Sequence, residues 1–303
     1  MTTTLLRAPA RPVADAVRPL LTAGIVVALL SLVVALVGLV VDPREIGGAP
    51  AWLKPMKFGV SATLYLVTIR WMLGVVPGHR RLLTGVAAVM VAGLSLELVA
   101  IDLQVLRNTT SHFNTSSVFD LLVYSGMGAL ISTVFVVTAV AAVLVLRTPG
   151  VQRSIAAGMR WGLLLSLAGM AEAVLMTVNF GAARGGGHTV GGPDGGPGMP
   201  VTDWSLLHGD LRVGHFLGLH ALQVLPILAF LLLRVPGLDD RTRTRLIAVV
   251  GSGYAALMAL VTWQALRGQA LLSPDALTLA AGAAVVAGVT VATAAVLARR
   301  VRA

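Results

Sequence analysis

Eight long apolar segments constrain the fold of this chain more than any other feature. They occupy residues 20–41, 57–76, 82–106, 119–146, 158–181, 211–234, 245–267 and 276–298. Because an α-helix rises about 1.5 Å per residue, roughly 20 apolar residues cross the hydrocarbon core of a bilayer. A helix also satisfies its own backbone hydrogen bonds, as hydrocarbon requires. The sequence therefore predicts an all-α, polytopic integral membrane protein with about eight transmembrane helices.

The composition and the spacing of these segments leave no room for a separate soluble domain. The chain is 56% hydrophobic and 12% charged, with a mean hydropathy of +0.87, which is typical of multi-span membrane proteins. The first apolar run is longer than the roughly 7–15 residues of a signal-peptide core, so an uncleaved first span is expected. Residues 1–303 are predicted to form a single membrane domain.

Basic residues are distributed unequally between alternate connecting segments. Sixteen of the 23 lysines and arginines fall at the ends and loops that include both termini, and seven fall on the opposite side. Cytoplasmic loops carry such an excess, so both termini are expected in the cytoplasm. Because the net charge of +10 is spread between apolar runs, we expect the lipid bilayer and no nucleic acid as a partner. The 21 arginines against two lysines are typical of GC-rich bacterial genes, which favours a bacterial inner membrane.

The connecting segments on the outer side have unusual compositions. The first contains WLKPMKF, in which Trp52, Lys54 and Lys57 are expected to form an interfacial belt. The second, RNTTSHFNTSSVFD, gathers small polar side chains around His112. The third, residues 181–210, is rich in Gly and Pro and includes His188, and long loops of this kind often cover a site. We expect it to act as a lid.

Three predicted spans carry an ionisable residue deep in the bilayer: Glu97, Glu172 and His220. Their positions along the spans place all three about 3–5 Å to the outer side of the midplane. An unpaired charge at that depth costs about 2.5–3.5 kcal/mol, so such residues face the bundle interior and mark functional sites. A polar site that opens to the outer side is predicted.

The two glutamates share a second regularity. Gln104 follows Glu97 by seven residues and Asn179 follows Glu172 by seven, so each amide lies two turns beyond its carboxylate on the same helix face. Each span then leads to an arginine and a histidine, namely Arg107 with His112 and Arg184 with His188. The pattern indicates a weak internal repeat whose helices face a shared cavity.

The sixth span holds the densest polar stretch, HGDLRVGHFLGLHALQ, at residues 208–223. His220 and Gln223 are three residues apart and share a face, as do Arg212 and His215. His215 lies about 140° around the helix from His220, so one straight helix cannot direct both histidines at one small ion. We expect His220 near the two glutamates and His215 near the cavity mouth.

Several interpretations of these residues are open. The candidate catalytic residues are Glu97, Glu172 and His220; the candidate metal ligands are Glu97, Glu172, His215 and His220; the candidate cofactor-binding residues are His112, His215, Arg107 and Arg212. Imidazole and carboxylate suit Zn, Fe or Mn, and haem would need a second histidine such as His112. These options predict a metal- or haem-dependent membrane enzyme or redox protein. The alternatives are a proton-coupled transporter or binding protein for a polar or anionic solute, and buried hydrogen-bonded groups that only fix the helix register.

Four strings carry a resemblance: WLKPMKF, RNTTSHFN, GGGHTVGGPDGGPGMP and GDLRVGHFLGLHALQ. Together they resemble those of an uncharacterised family of bacterial multi-pass membrane proteins. The resemblance covers most of the polar part of the chain and implies a polytopic membrane fold. It implies no activity and no ligand.

Overall fold

A computed structural model describes residues 14–178 and 186–301, with side chains from residue 17 to residue 299 within those ranges. Its helices are α1 (Ala14–Val41), α2 (Leu53–Leu73), α3 (Arg80–Leu106), α4 (Val118–Leu146), α5 (Arg153–Thr177), α6 (Arg212–Leu233), α7 (Asp240–Leu266) and α8 (Ala276–Val301). Two short antiparallel ribbons lie in connecting segments: β1 (Glu45–Ile46) with β2 (Ala49–Pro50), and β3 (Thr189–Val190) with β4 (Gly209–Asp210). The fold is all-α, as predicted.

Seven described helices are long and apolar enough to cross a membrane. The remaining helix, α2, has 21 residues and is more polar, because it carries Lys54, Lys57 and Arg70. At about 1.5 Å per residue it is nevertheless about as long as the hydrocarbon core is thick. The apolar surfaces of the seven helices therefore fit a lipid bilayer.

The tightest helix pair joins α5 to α6 through glycines. A Cβ atom added to Gly169 would lie 2.7 Å from the backbone of Gly218, and one added to Gly162 would lie 3.0 Å from the carbonyl oxygen of Ala221. Small residues allow this close approach of helix backbones, which is how membrane helices gain packing energy. The backbone positions of α5 and α6 are thereby fixed relative to each other.

The buried apolar residues and the buried polar residues are concentrated at opposite ends of the helix bundle. We call the end where α1 begins and α8 ends the base, and the opposite end the lid end. The main apolar cluster fills the base half, with Leu21, Ile69, Met90 and Leu163 among its fully buried members. Most of the buried charged and amide side chains lie in the lid-end half: Glu97, Gln104, Asn114, Asp120, Glu172, Asp210 and Gln264. The polar part of the described interior therefore lies at the lid end.

Candidate functional site

Residues 186–208, which we call the lid, fold back over the lid end. The carboxylate of Asp194 accepts hydrogen bonds from the backbone N–H groups of His188 (3.3 Å) and Thr189 (2.8 Å). Gly195 lies against the first connecting segment, since a Cβ atom on Gly48 would come within 2.6 Å of the Gly195 carbonyl oxygen. Both glycines have positive φ values, +83° and +85°, which favour glycine at this contact. The lid is thus seated on the loop between α1 and α2.

The lid also contacts α2 and α6. Lys57 Nζ donates to the carbonyl oxygen of Thr202 at 2.9 Å. The rings of Trp204 and Phe216 meet edge to face with their centroids 5.5 Å apart. Residues 186–208 therefore cover the polar end of the bundle.

Arg212 is neutralised by two carboxylates. Its guanidinium forms a two-point contact with Asp210, with Nε to Oδ1 at 3.0 Å and NH2 to Oδ2 at 2.7 Å, and its NH1 donates to Asp203 Oδ2 at 3.1 Å. Asp210 also accepts a hydrogen bond from the backbone of Ser205. Burial raises the pKa of Asp210, but the bonds from Arg212 outweigh it and hold that pKa below its usual value. Arg212 therefore ties the lid to the start of α6.

His112 is held in place by the internal bonding of its loop. Asn114 Nδ2 donates to Thr109 Oγ1 and to the carbonyl oxygen of Thr110, while its Oδ1 accepts from Ser116. These bonds explain the small polar residues of the RNTTSHFN segment, because each satisfies a backbone or side-chain group of the turn. The loop presents His112 inward, toward α2 and α3.

His112 joins a lysine to a carboxylate. Its Nδ1 lies 3.1 Å from Lys54 Nζ, and its Nε2 lies 3.5 Å from Glu97 Oε1. When Lys54 is an ammonium, which has only donors, Nδ1 accepts and the imidazole proton resides on Nε2, facing the glutamate. Glu97 is buried, and its Oε2 has no hydrogen-bond partner in the described chain. Lys54, His112 and Glu97 thus form a continuous row of ionisable groups in contact.

The surroundings of His112 keep it neutral. Its ring lies against Phe58, Phe113 and Tyr124, with centroid distances of 5.6, 6.3 and 6.4 Å. Burial holds the pKa of His112 well below its usual value, and the charge of Lys54 adds to the effect, with smaller contributions from two more histidines, His188 and His215. Three histidines from two loops and α6 are therefore electrostatic neighbours at this end of the bundle.

His188, in the lid, is also neutral near pH 7. Burial, with a further contribution from the charge of Arg212, lowers its pKa to about 4, although Asp194 at 3.2 Å acts in the opposite direction. An imidazole with this pKa accepts a proton only in acid. Protonation of His188 therefore opposes the closed arrangement of the lid.

The two histidines of α6 face different partners, as the helical spacing predicted. His215 Nδ1 lies 2.6 Å from the carbonyl oxygen of Gly169 in α5, and His220 Nε2 lies 3.5 Å from Ser61 Oγ in α2. Since a carbonyl oxygen only accepts, His215 carries its proton on Nδ1, and its Nε2 lone pair is available to a ligand. His220 instead packs on Phe216, with ring centroids 4.3 Å apart.

Glu172 lies between α5, α6 and α7. Its Oε1 lies 2.5 Å from Thr262 Oγ1, and its Oε2 has no partner in the described part of the chain. Thr262 Oγ1 is also 2.8 Å from the carbonyl oxygen of Met258, so its single proton serves two acceptors. A side chain at Gly214 would overlap the Glu172 carboxyl group, which explains the glycine there.

Arg107 and Gln104 belong to a separate network between α3 and α4. Arg107 NH1 lies 2.5 Å from Asp120 Oδ1, and Gln104 Nε2 donates to the same oxygen at 2.9 Å. Gln104 therefore pairs with Asp120 and not with Glu97, seven residues before it. The corresponding residues of the repeat, Asn179 and Arg184, lie outside the described residues.

Glu97, Glu172 and His220, the predicted catalytic set, each have a different partner: His112, Thr262 and Ser61. Among residues 14–178 and 186–301, no three His, Asp or Glu side chains are arranged to hold a metal ion. A metal site built from Glu97, Glu172, His215 and His220 stays a prediction.

Sequence reasoning missed three polar residues of the lid-end half. Lys54 was assigned to an interfacial belt with Trp52, whereas Lys54 contacts His112, and Trp52 is buried and donates to Asp42 at 2.8 Å. Asp102 accepts from Ser31 in α1 at 3.1 Å, and Thr262 bonds to Glu172. Asp102 could have been recognised as a buried polar residue, because it is a charged residue inside an apolar segment. Thr262 could not, because a threonine in a helix is common and gives no sign of its partner.

Comparison of the chain with known protein families, with curated proteins and with solved structures finds no match.

Proposed function

We propose that the chain is an eight-span protein of the bacterial inner membrane, with α2 as the eighth span, both termini in the cytoplasm and the lid on the outer side. The unequal distribution of basic residues supports this orientation, since 16 of 23 belong to the base side. Pairing of charges supports it as well. Four described arginines of the lid end each form an ion pair with an aspartate: Arg44, Arg107, Arg212 and Arg267.

We further propose that the protein binds a small anionic solute beneath the lid and couples binding to proton transfer. The contact chain from Lys54 through His112 to Glu97 carries this proposal. The solute would meet Lys54 and Lys57, because Arg107 and Arg212 already have carboxylate partners. Among the described residues, Lys57 donates to one carbonyl oxygen of the lid, which an anion would replace.

The proton balance follows from the hydrogen-bond directions. When Lys54 gives a proton to His112 Nδ1 and His112 gives its Nε2 proton to Glu97, a neutral amine and a protonated carboxyl group result. The reverse transfer restores the ammonium and the carboxylate. An anion beside Lys54 favours the ammonium, since opposite charges attract strongly in a partly dry site. The anion also repels the Glu97 carboxylate, which then takes one proton from the solvent, so that Lys54 is an ammonium and Glu97 a neutral carboxyl group, and the chain has gained one proton.

The test measures proton uptake by the purified, detergent-solubilised protein in weakly buffered solution with an indicator dye. Succinate, phosphate and sulfate serve as probes, and glycerol serves as the uncharged control. We expect uptake with at least one anion in the wild type and none in Glu97→Gln. The matched control is Glu45→Gln, which removes an exposed carboxylate of the neighbouring loop. Equal uptake in the wild type and Glu97→Gln would contradict the proposal.

A second candidate is the metal- or haem-dependent enzyme or redox protein, and the bond of His215 favours it. Ligating histidines commonly donate Nδ1–H to a backbone carbonyl and bind the metal through Nε2, and His215 has this orientation with Gly169. His215 would hold Zn, Fe, Mn or haem, and such a group would supply Lewis-acid or redox chemistry. Elemental analysis and the visible spectrum of protein purified without chelator test this candidate. Bound metal or haem that His215→Ala removes would support it, and His220→Ala serves as a comparison.

A further inference from the structure

Two arginines line one recess at the base, at the opposite end of the bundle from the lid. Arg18 lies in the first turns of α1, and Arg70 lies in the last turn of α2. Trp71, Gly74 and Val75 complete the lining of a recess of about 280 Å³. At about 30 Å³ per water molecule, this volume is large enough for a phosphate group and its first ester substituent.

Neither arginine has a partner within the described part of the chain. No described carboxylate lies within 4 Å of Arg18 or Arg70, and neither guanidinium donates to a described side chain or carbonyl oxygen. By contrast, Arg44 and Arg212 at the lid end lie 2.7 Å from aspartate oxygens. The recess therefore offers two unpaired guanidinium groups to a ligand.

The shape of the recess depends on Gly74. A Cβ atom at this position would lie 3.8 Å from Arg18 NH2, so any larger side chain would extend into the space beside the guanidinium. Gly74 has φ of −64° and ψ of −19°, a conformation that every L-residue adopts. This backbone conformation does not require glycine, although a Cβ atom would also lie 3.1 Å from the carbonyl oxygen of Trp71. The lack of a side chain leaves open space beside Arg18.

We propose that this recess binds a phosphate group, either in the headgroup of an anionic phospholipid or in a soluble phosphate ester. Planar guanidinium groups match phosphate oxygens with paired hydrogen bonds. Trp71 lies partly buried beside them, with its ring 5.4 Å from that of Phe230, in the manner of aromatic residues at a membrane interface. This inference is independent of the function proposed for the lid end.

Native mass spectrometry of the full chain tests the proposal. Wild-type protein in mild detergent is titrated with phosphatidylglycerol or phosphatidylcholine, and delipidated protein is titrated with glycerol 3-phosphate or inorganic phosphate. Two variants alter the recess: Arg18→Gln with Arg70→Gln removes the charges, and Gly74→Leu fills the space while keeping both arginines. The matched control, Arg80→Gln with Arg81→Gln, removes two charges from the same end of the bundle.

We expect the wild type to prefer a phosphate-bearing anion by about 30-fold over phosphatidylcholine, which is the contribution of two basic residues near a membrane surface. Both recess variants should lose this preference, and the control should keep it. Preference for phosphatidylglycerol alone identifies a lipid headgroup, and equal binding of glycerol 3-phosphate identifies a soluble ester. Recess variants that bind like the wild type, or a control that loses as much as they do, would overturn the proposal.

Discussion

Replacing Gly169 by alanine should loosen α5 from α6 at the point that positions His215. The added Cβ atom would lie 2.7 Å from the Cα and carbonyl carbon of Gly218 and from the nitrogen of Leu219. Ordinary contact begins near 3.4 Å, so the helices must separate by several tenths of an ångström. Because the crowded atoms belong to the backbone, no side-chain rotation relieves the overlap.

Three effects determine how much the free energy of unfolding changes in Gly169→Ala. Overpacking costs about 1–3 kcal/mol. Separation also stretches the 2.6 Å bond from His215 to the Gly169 carbonyl oxygen, a bond worth about 1 kcal/mol. In the opposite direction, alanine stabilises a helix by up to about 1 kcal/mol relative to glycine. The gain is smaller if the unfolded state in detergent remains helical. We expect a net loss of about 2 kcal/mol, roughly 30-fold in the unfolding equilibrium constant.

Unfolding in mixed micelles, followed by tryptophan fluorescence, measures this loss. The control is Gly126→Ala in α4, where nothing lies within 4 Å of the new Cβ atom. That variant should stay within about 0.5 kcal/mol of the wild type. If Gly169→Ala were as stable as Gly126→Ala, the close helix contact would not exist as described.

Three further predictions concern the lid and Glu172. Asp210→Asn breaks a buried ion pair with Arg212 and should cost about 3 kcal/mol, seen as faster proteolysis in the lid; unchanged cleavage would contradict it. Because the pKa of His188 is about 4 in the folded chain and near 6.5 when unfolded, lid stability is complete above pH 6.5 and decreases as the pH falls toward 4. Hydrogen exchange of residues 186–208, corrected for intrinsic rates, checks this, and equal protection at pH 7 and pH 5 would disprove it. Thr262→Val leaves Glu172 without its partner and should cost about 1–3 kcal/mol in the unfolding assay, and Thr262→Ser should recover most of the loss.

The helices could be predicted from the sequence because an apolar run of about 20 residues satisfies its backbone hydrogen bonds in a bilayer by forming a transmembrane helix. The different directions of His215 and His220 were also predictable, since helical geometry alone separates them by about 140°. In the structure these residues contact α5 and α2, respectively. Both predictions depend only on local geometry within one helix.

Partners from other helices could not be predicted in the same way. Arg107 was expected to bind a cofactor or solute, yet its carboxylate partner Asp120 lies across a loop at the start of α4. Lys54 was placed at the interface because it precedes a span, whereas the loop of His112 folds over it. Spacing along one helix contains no information about which face a neighbouring loop covers.

The β3–β4 ribbon attaches both ends of the lid to α7 at one place. Gly209 in β4 lies directly against the carbonyl oxygen of Ala265 at the end of α7, where any side chain would clash. Since β3 pairs with β4, residues 191–208 begin and end at one fixed ribbon. Between these ends, Asp203 pairs with Arg212 and Trp204 packs on Phe216, so the lid is also held by α6. A solute bound as proposed beneath the lid would therefore leave only after these contacts break.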